Sequence, residues 1–127
     1  MPEQHLYEYS VIRVVPKVER EEFLNVGIIL FCKKQQFLHT RMSLNEKKLE
    51  IIAPDADRFQ INENLQSFEK ICSGQKLGGP IGLMDVAERF RWLTAVRSSV
   101  IQTSRPHPGL TADLQATLER LHRDFVL

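Results

Sequence analysis

At 127 residues, 43% apolar and 26% charged, the chain has the length and balance of one folded domain, 1–127, and not of a disordered segment. A formal net charge of +1 gives no whole-surface electrostatic case for nucleic acid, an anionic membrane or an acidic partner, although it leaves room for a local basic patch. No apolar run approaches the ~20 residues that span a bilayer, and the N-terminus lacks the layout of a signal peptide. Cys32 and Cys72 form no spaced framework, so two reduced, buried thiols in a cytoplasmic protein are expected.

Tyr7 to Pro16 reads as a first strand, rich in Tyr, Val and Ile and stopped by a proline. Alternation puts Tyr7, Tyr9, Val11, Arg13 and Val15 on one face. There Arg13 needs either a sheet edge or a carboxylate partner. Lys17 to Glu22 is a charge run, expected as a solvated connection. Phe23 to Cys32 is the most apolar stretch and is taken as the middle of a small sheet. Its alternation sets Asn25, Gly27, Ile29 and Phe31 against Leu24, Val26, Ile28, Leu30 and Cys32. The second set is uniformly apolar and is the expected helix-packed face. Gly27 marks a bulge or a close approach. Lys33 to Gln36 is a polar turn, and Phe37 to Met42 returns as the third strand of an antiparallel hairpin.

Helices follow. Ser43-Leu44-Asn45-Glu46 has the capping-box form and opens a short helix that stops before Pro54. Asp55 or Asp57 caps the next helix, where Ile61, Leu65, Phe68 and Cys72 recur at helical spacing and Gly74 supplies the stop. Gly74 to Gly82 lacks the Gly-Lys-Ser/Thr ending of a phosphate loop and reads as a mobile loop. Asp85 to Glu88 opens a helix running to about Ala95. Ser98 to Thr103 is a fourth strand. Arg105 to Gly109, with two prolines and a glycine, predicts no regular structure. Thr111 caps a last helix carrying Leu114, Leu118, Leu121 and Phe125. Strands first and helices grouped predict an α+β fold, a small antiparallel sheet of three to four strands covered by helices.

The chemistry is sparse. The four histidines have no i, i+4 pair and no cysteine at finger spacing, so neither a metal nor another cofactor is expected. A Gly-x-Ser-x-Gly turn is absent, and the carboxylates sit mostly at caps or in the charge run. Nucleic acid would call for a denser basic stripe with exposed aromatics. Arg13, Arg20, Arg91, Arg97 and Arg105 lie next to apolar or turn-forming residues. Converging with Gln102 and His107, they would make an anion-binding cleft. The alternative is that each pairs internally with a carboxylate such as Glu22, which the usual pairing of partly buried charges favours.

Two blocks carry a family resemblance. One is Tyr7-x-Tyr9-Ser10-Val11-Ile12-Arg13-x-Val15-Pro16 with Arg20-x-Glu22-Phe23-x-Asn25-Val26-Gly27-x-Ile29-Leu30-Phe31. The other is Arg89-Phe90-Arg91-Trp92-Leu93-Thr94-Ala95-x-Arg97-Ser98, followed by Gln102 and His107-Pro108-Gly109-Leu110. Together they resemble an uncharacterised bacterial domain-of-unknown-function family, series number three thousand and thirty-seven, over almost the whole chain. Val96 stands where that pattern has a proline. The resemblance implies a small cytoplasmic companion, sometimes encoded beside kinase-like proteins of the HipA type.

The reading that follows is a non-enzymatic protein-binding or regulatory module, with a HipA-like kinase or a second copy of the chain as partner. The other reading is an enzyme or ligand-binding protein acting on a phosphorylated or nucleotide-like anion through an arginine-lined cleft. No catalytic or metal-binding residue is assigned. The candidate binding residues are Arg13, Arg20, Glu22, Asn25, Arg91, Arg97, Gln102 and His107.

Overall fold

The central element is β1, His5–Val14, a strand long enough to hold different partners along its two halves. The computed structural model describes residues 3–74, 78–95 and 99–127. One side of β1 pairs with β2, Leu24–Cys32, which pairs in turn with β3, Phe37–Met42. The other side is shared. β4, Ile101–Thr103, covers Ile12 to Val14, and β5, His107–Thr111, covers His5 to Tyr9. Every pairing is antiparallel, and with the helices this is the expected α+β fold, with five strands.

β5 corrects the expectation that Arg105 to Gly109 forbids regular structure. An edge strand tolerates a proline because it needs only one ladder. Ser104 bridges the two short strands. Its N–H donates to the Val11 carbonyl at 2.9 Å and its Oγ accepts from the Val11 N–H at 2.8 Å, so a side chain fills the gap in the ladder.

Helices cover both faces of the sheet. On one face lie α1, Glu46–Ile52, α2, Arg58–Ser73, and α4, Val86–Leu93, which bury Leu49, Ile61, Leu65, Phe68, Cys72, Phe90 and Leu93 against Ile12, Val14, Val26, Ile29 and Phe31. On the other lies α5, Leu114–Phe125, which buries Leu114, Leu118 and Leu121 against Tyr7, Val11, Ile28, Leu30 and Cys32. Each such fully buried aliphatic side chain contributes about 1.5–3 kcal/mol relative to exposure. Within the glycine-rich stretch, α3, Gly79–Gly82, is a short helical turn. The mobile-loop expectation for residues 75–77 lies outside the described residues.

The expected division of β2 into an apolar face and a polar face is corrected on two counts. Both faces are core, and every residue from Val26 to Cys32 is buried. The alternation also breaks. Ile12 stands opposite Gly27 and Arg13 opposite Asn25, so Val26 is the extra residue of a β-bulge. Leu24 and Val26 therefore join Ile29 and Phe31, while Ile28, Leu30 and Cys32 point to α5.

Several caps read as the sequence suggests. Asp57 and Asp85 accept from the N–H groups of Gln60 and Glu88, and Gly74 closes α2 at φ 74°. Two are displaced. Asn45, not Ser43, caps α1 by accepting from Lys48. Asp113, not Thr111, caps α5 by accepting from Ala116, and Thr111 Oγ1 in turn accepts from the Asp113 N–H. Phe125, expected on the core side of α5, is exposed.

Two glycines mark close approaches. The ring of Tyr7 lies over Gly109 on the neighbouring strand, where a Cβ would stand. At Gly27 a Cβ would fall 2.6 Å from Met42 Cγ and 2.8 Å from the Arg41 carbonyl oxygen. Because the second obstacle is backbone, Gly27→Ala should lower stability by about 1–3 kcal/mol, the usual penalty of overpacking. Urea unfolding should show a lower midpoint with an unchanged slope; an unshifted midpoint would contradict the close approach.

Candidate functional site

The bulge sets up a row of polar residues across the sheet. Asn25 on β2 and Gln102 on β4 stand directly opposite Arg13, one on each side. Residues directly opposite one another project to the same face, here the face that carries α5. The Arg13 guanidinium carbon lies 4.3 Å from the ring centroid of Phe23, a cation–π distance. Arg13 was expected to need a sheet edge or a carboxylate. It has neither, since it sits on the central strand and no carboxylate among the described residues pairs with it. Its Nε is buried without a hydrogen-bond partner among the described residues, and so is Asn25 Oδ1.

The carboxamides are positioned by backbone. Asn25 Nδ2 donates to the Phe125 carbonyl at 3.1 Å, tying the last turn of α5 to the sheet. Gln102 Nε2 donates to the Ser99 carbonyl at 2.9 Å. Farther along the same face, Tyr9 stands between His107, 5.4 Å away by ring centroids, and Phe125, 6.0 Å away. Register thus sets Arg13, Asn25 and Gln102 side by side, with His107 on the same face beyond Tyr9, while Gln102 also borders a groove of about 240 Å3 lined by Phe68, Ile71 and Leu93.

The remaining candidates lie elsewhere. Arg20 Nε donates to Glu22 Oε1 at 2.7 Å. That exposed pair borders a groove of about 310 Å3 between the β1–β2 connection and the end of α1, where Lys17 also meets Asp55 at 3.8 Å. Arg91 projects from α4, on the other face of the sheet, into a groove of about 290 Å3 shared with Leu6, Glu8, Phe31, Lys33 and Pro108. Arg105 is exposed after β4, and Arg97 lies outside the described residues.

A surface that sequence reasoning missed adjoins Arg91. Leu6 stands opposite Leu110 in the β1–β5 ladder, and both are 65% exposed. They line a groove of about 590 Å3 with Gln4, Lys33, Lys34 and Gln36. Lys34 pairs with Glu3 at 3.0 Å, whereas Lys33 and Arg91 have no carboxylate partner among the described residues. Only the register of β5 brings the two leucines together, and the prolines flanking His107 concealed that strand.

Residues 9–126 match the family model described as Protein of unknown function (DUF3037). The chain belongs to that family. No curated protein matches it, and no solved structure does. Among the described residues of this DUF3037 member, no helix is long and apolar enough to cross a membrane, and no three His, Cys, Asp or Glu side chains gather as a metal site.

In this DUF3037 member Lys34 lowers the pKa of the exposed Glu3, whereas burial is the leading cause at Cys72 and His122. Burial, reinforced by Glu69, pushes the Cys72 thiol up to about 12 against the opposing effects of Thr40 and Arg89. Cys32 is fully buried in the other core, so the two free thiols lie on opposite faces of the sheet. Neither should react with a thiolate-selective reagent at neutral pH until denaturant is added; labelling of Cys72 in the native protein would contradict its burial.

His122 on α5 is buried, with Nε2 3.1 Å from Ser43 Oγ. Burial, then Arg41, lowers its pKa from the ordinary 6.5, opposed by Glu119. Because folding holds the ring neutral, the unfolded chain takes the proton first. This contribution is complete above 6.5 and is lost as the pH falls through the lower folded-state value. The urea midpoint should therefore start to decline just below pH 6.5, and His122→Gln should flatten that part of the profile. An equal decline in the variant would assign the effect to other groups.

Proposed function

We propose that this DUF3037 chain is a non-enzymatic protein-binding module, and that its docking surface is the open end of the sheet around Leu6 and Leu110. The observation that carries this reading is the cross-strand leucine pair, left 65% exposed at each position in adjoining grooves that also hold Glu8 and the cations Lys33 and Arg91, which have no carboxylate partner among the described residues. Covering both leucines would contribute about 2–4 kcal/mol on the usual scale for aliphatic side chains. Lys33 and Arg91 would add charge complementarity, which governs orientation and encounter more than affinity. Pro108 has no N–H and blunts the outer edge of β5, so a partner would read side chains on the face instead of adding a strand.

The partner this surface fits is a segment with two apolar anchors and acidic residues beside them. A symmetric pair of copies fits less well, because Lys33 and Arg91 would face their own equivalents. A kinase-like protein of the HipA type is the partner that the family resemblance implies. The reading as an enzyme or binder of a phosphorylated or nucleotide-like anion through several arginines has less support. Arg20 is committed to Glu22 and Arg91 projects from the opposite face to Arg13.

Cross-linking through Lys33 during purification from the native host tests the proposal. The expected result is a cross-link to a foreign segment with acidic residues next to apolar ones, lost in Leu6→Glu/Leu110→Glu with unchanged thermal melting. A chain that stays alone, or a partner retained by a folded double variant, would overturn it.

A further inference from the structure

Arg13 is exceptional among the arginines of the described residues. Arg20, Arg41, Arg58 and Arg120 each meet a carboxylate, and Arg89 donates to the Met84 carbonyl at 2.7 Å. Arg91, Arg105 and Arg123 have no side-chain partner among the described residues but are exposed to water. Arg13 has no hydrogen-bond or carboxylate partner among the described residues and is only partly exposed, on the central strand of the sheet. Its Nε is buried without a bond, and a buried donor is costly unless something pairs with it.

Its surroundings favour one kind of pairing. The guanidinium carbon sits 4.3 Å from the Phe23 ring centroid, so the ring covers one side of the group and leaves its N–H donors to bond. The flanking residues Asn25 and Gln102 are carboxamides, whose NH2 groups each keep a second N–H beyond those given to Phe125 and Ser99. Two uncharged carboxamides flank a single cation, and one of them also carries the unbonded acceptor Asn25 Oδ1. We infer that the row Asn25–Arg13–Gln102 is a binding site for one oxyanion group, a carboxylate or a phosphate. The fork of Arg13 accepts it edge-on, the two carboxamides bracket it, and Phe23 holds the fork in place. Planar, bidentate recognition of this kind is what arginine does better than lysine.

A competing account is structural. Asn25 holds the last turn of α5 close by, and the negative end of a helix can itself accommodate a cation. The two accounts differ in what added anion does to the folded wild-type chain.

The test is a nuclear magnetic resonance titration of the full chain with inorganic phosphate, and separately with acetate, at constant ionic strength made up with chloride. The Arg13 Nε–H and the side-chain amides of Asn25 and Gln102 should shift together and saturate, with a dissociation constant on the order of 1 mM. Saturation by phosphate alone would assign a phosphoryl ligand, by acetate alone a carboxylate one, and by both the shared oxyanion chemistry. Arg13→Lys should weaken binding about tenfold by losing the fork, and Arg13→Gln should abolish it. Should Arg13→Gln fail to fold, Phe23→Leu removes the stack while leaving an apolar side chain, and should weaken binding with Arg13 still present. Shifts no larger than those in chloride would overturn the site and leave the helix-end account. Binding that survives in folded Arg13→Gln, or is unchanged in Phe23→Leu, would overturn it equally.

Discussion

The extra residue at Val26 is the constraint on which the rest depends. β2 is buried on both faces, so each of its side chains must suit the layer it enters. Toward its C-terminal end the alternation is fixed by Ile28, Leu30 and Cys32 on the α5 side and by Ile29 and Phe31 on the other. Continued without interruption toward Phe23, that alternation would drive Asn25 into the core beneath α1, α2 and α4, and a buried carboxamide without partners is costly. The bulge reverses the parity. Leu24 and Val26 enter the apolar layer, and Asn25 emerges on the α5 side, where the Phe125 carbonyl receives its N–H. Gly27 accommodates the resulting crowding because any side chain there would strike β3.

The second organising feature is the division of one side of β1 between β4 and β5. Two short strands can follow a long, twisted partner without running together, provided that the backbone groups between them are satisfied. Ser104 meets that need at Val11 with one side-chain and one main-chain bond. The chain then leaves β5 through Thr111 and Asp113 into α5, which crosses to the face that the other helices do not cover. Phe90 of α4 stacks on Phe31 at 4.8 Å, and only Arg91 of that helix reaches the groove beside Leu6, so Leu6 and Leu110 stay largely exposed.

Much of this was legible in the sequence, because hydrophobic periodicity and turn chemistry are local. The first three strands, the second and fourth helices and the caps at Asp57, Gly74 and Asp85 needed only neighbouring residues. What escaped depended on distant ones. A bulge inverts alternation, and the glycine that announced it could not say which residue was the extra one. Ser43 and Asn45, like Thr111 and Asp113, offer two capping oxygens within three positions, and the backbone angles that choose between them come from the packed structure. β5 looked irregular because its prolines were weighed without the edge position that tolerates them. The polar row was invisible for the same reason. Arg13, Asn25 and Gln102 each stand out in the sequence as polar residues in or beside strands, but only the register makes them neighbours, and Phe23 reads there as part of the apolar strand.

The sheet also acts as an insulating partition. Side chains on its two faces are separated by the backbone layer, and packed layers lie about 10 Å apart, so substitutions in the core under α5 should combine additively with those under α1, α2 and α4. Val26 to Ile28 is where that independence fails. There the chain changes faces within three residues, and a shift in either core is passed directly to the other. Repacking one layer is therefore permissive almost everywhere except at this crossing point, which holds the two layers to a common geometry.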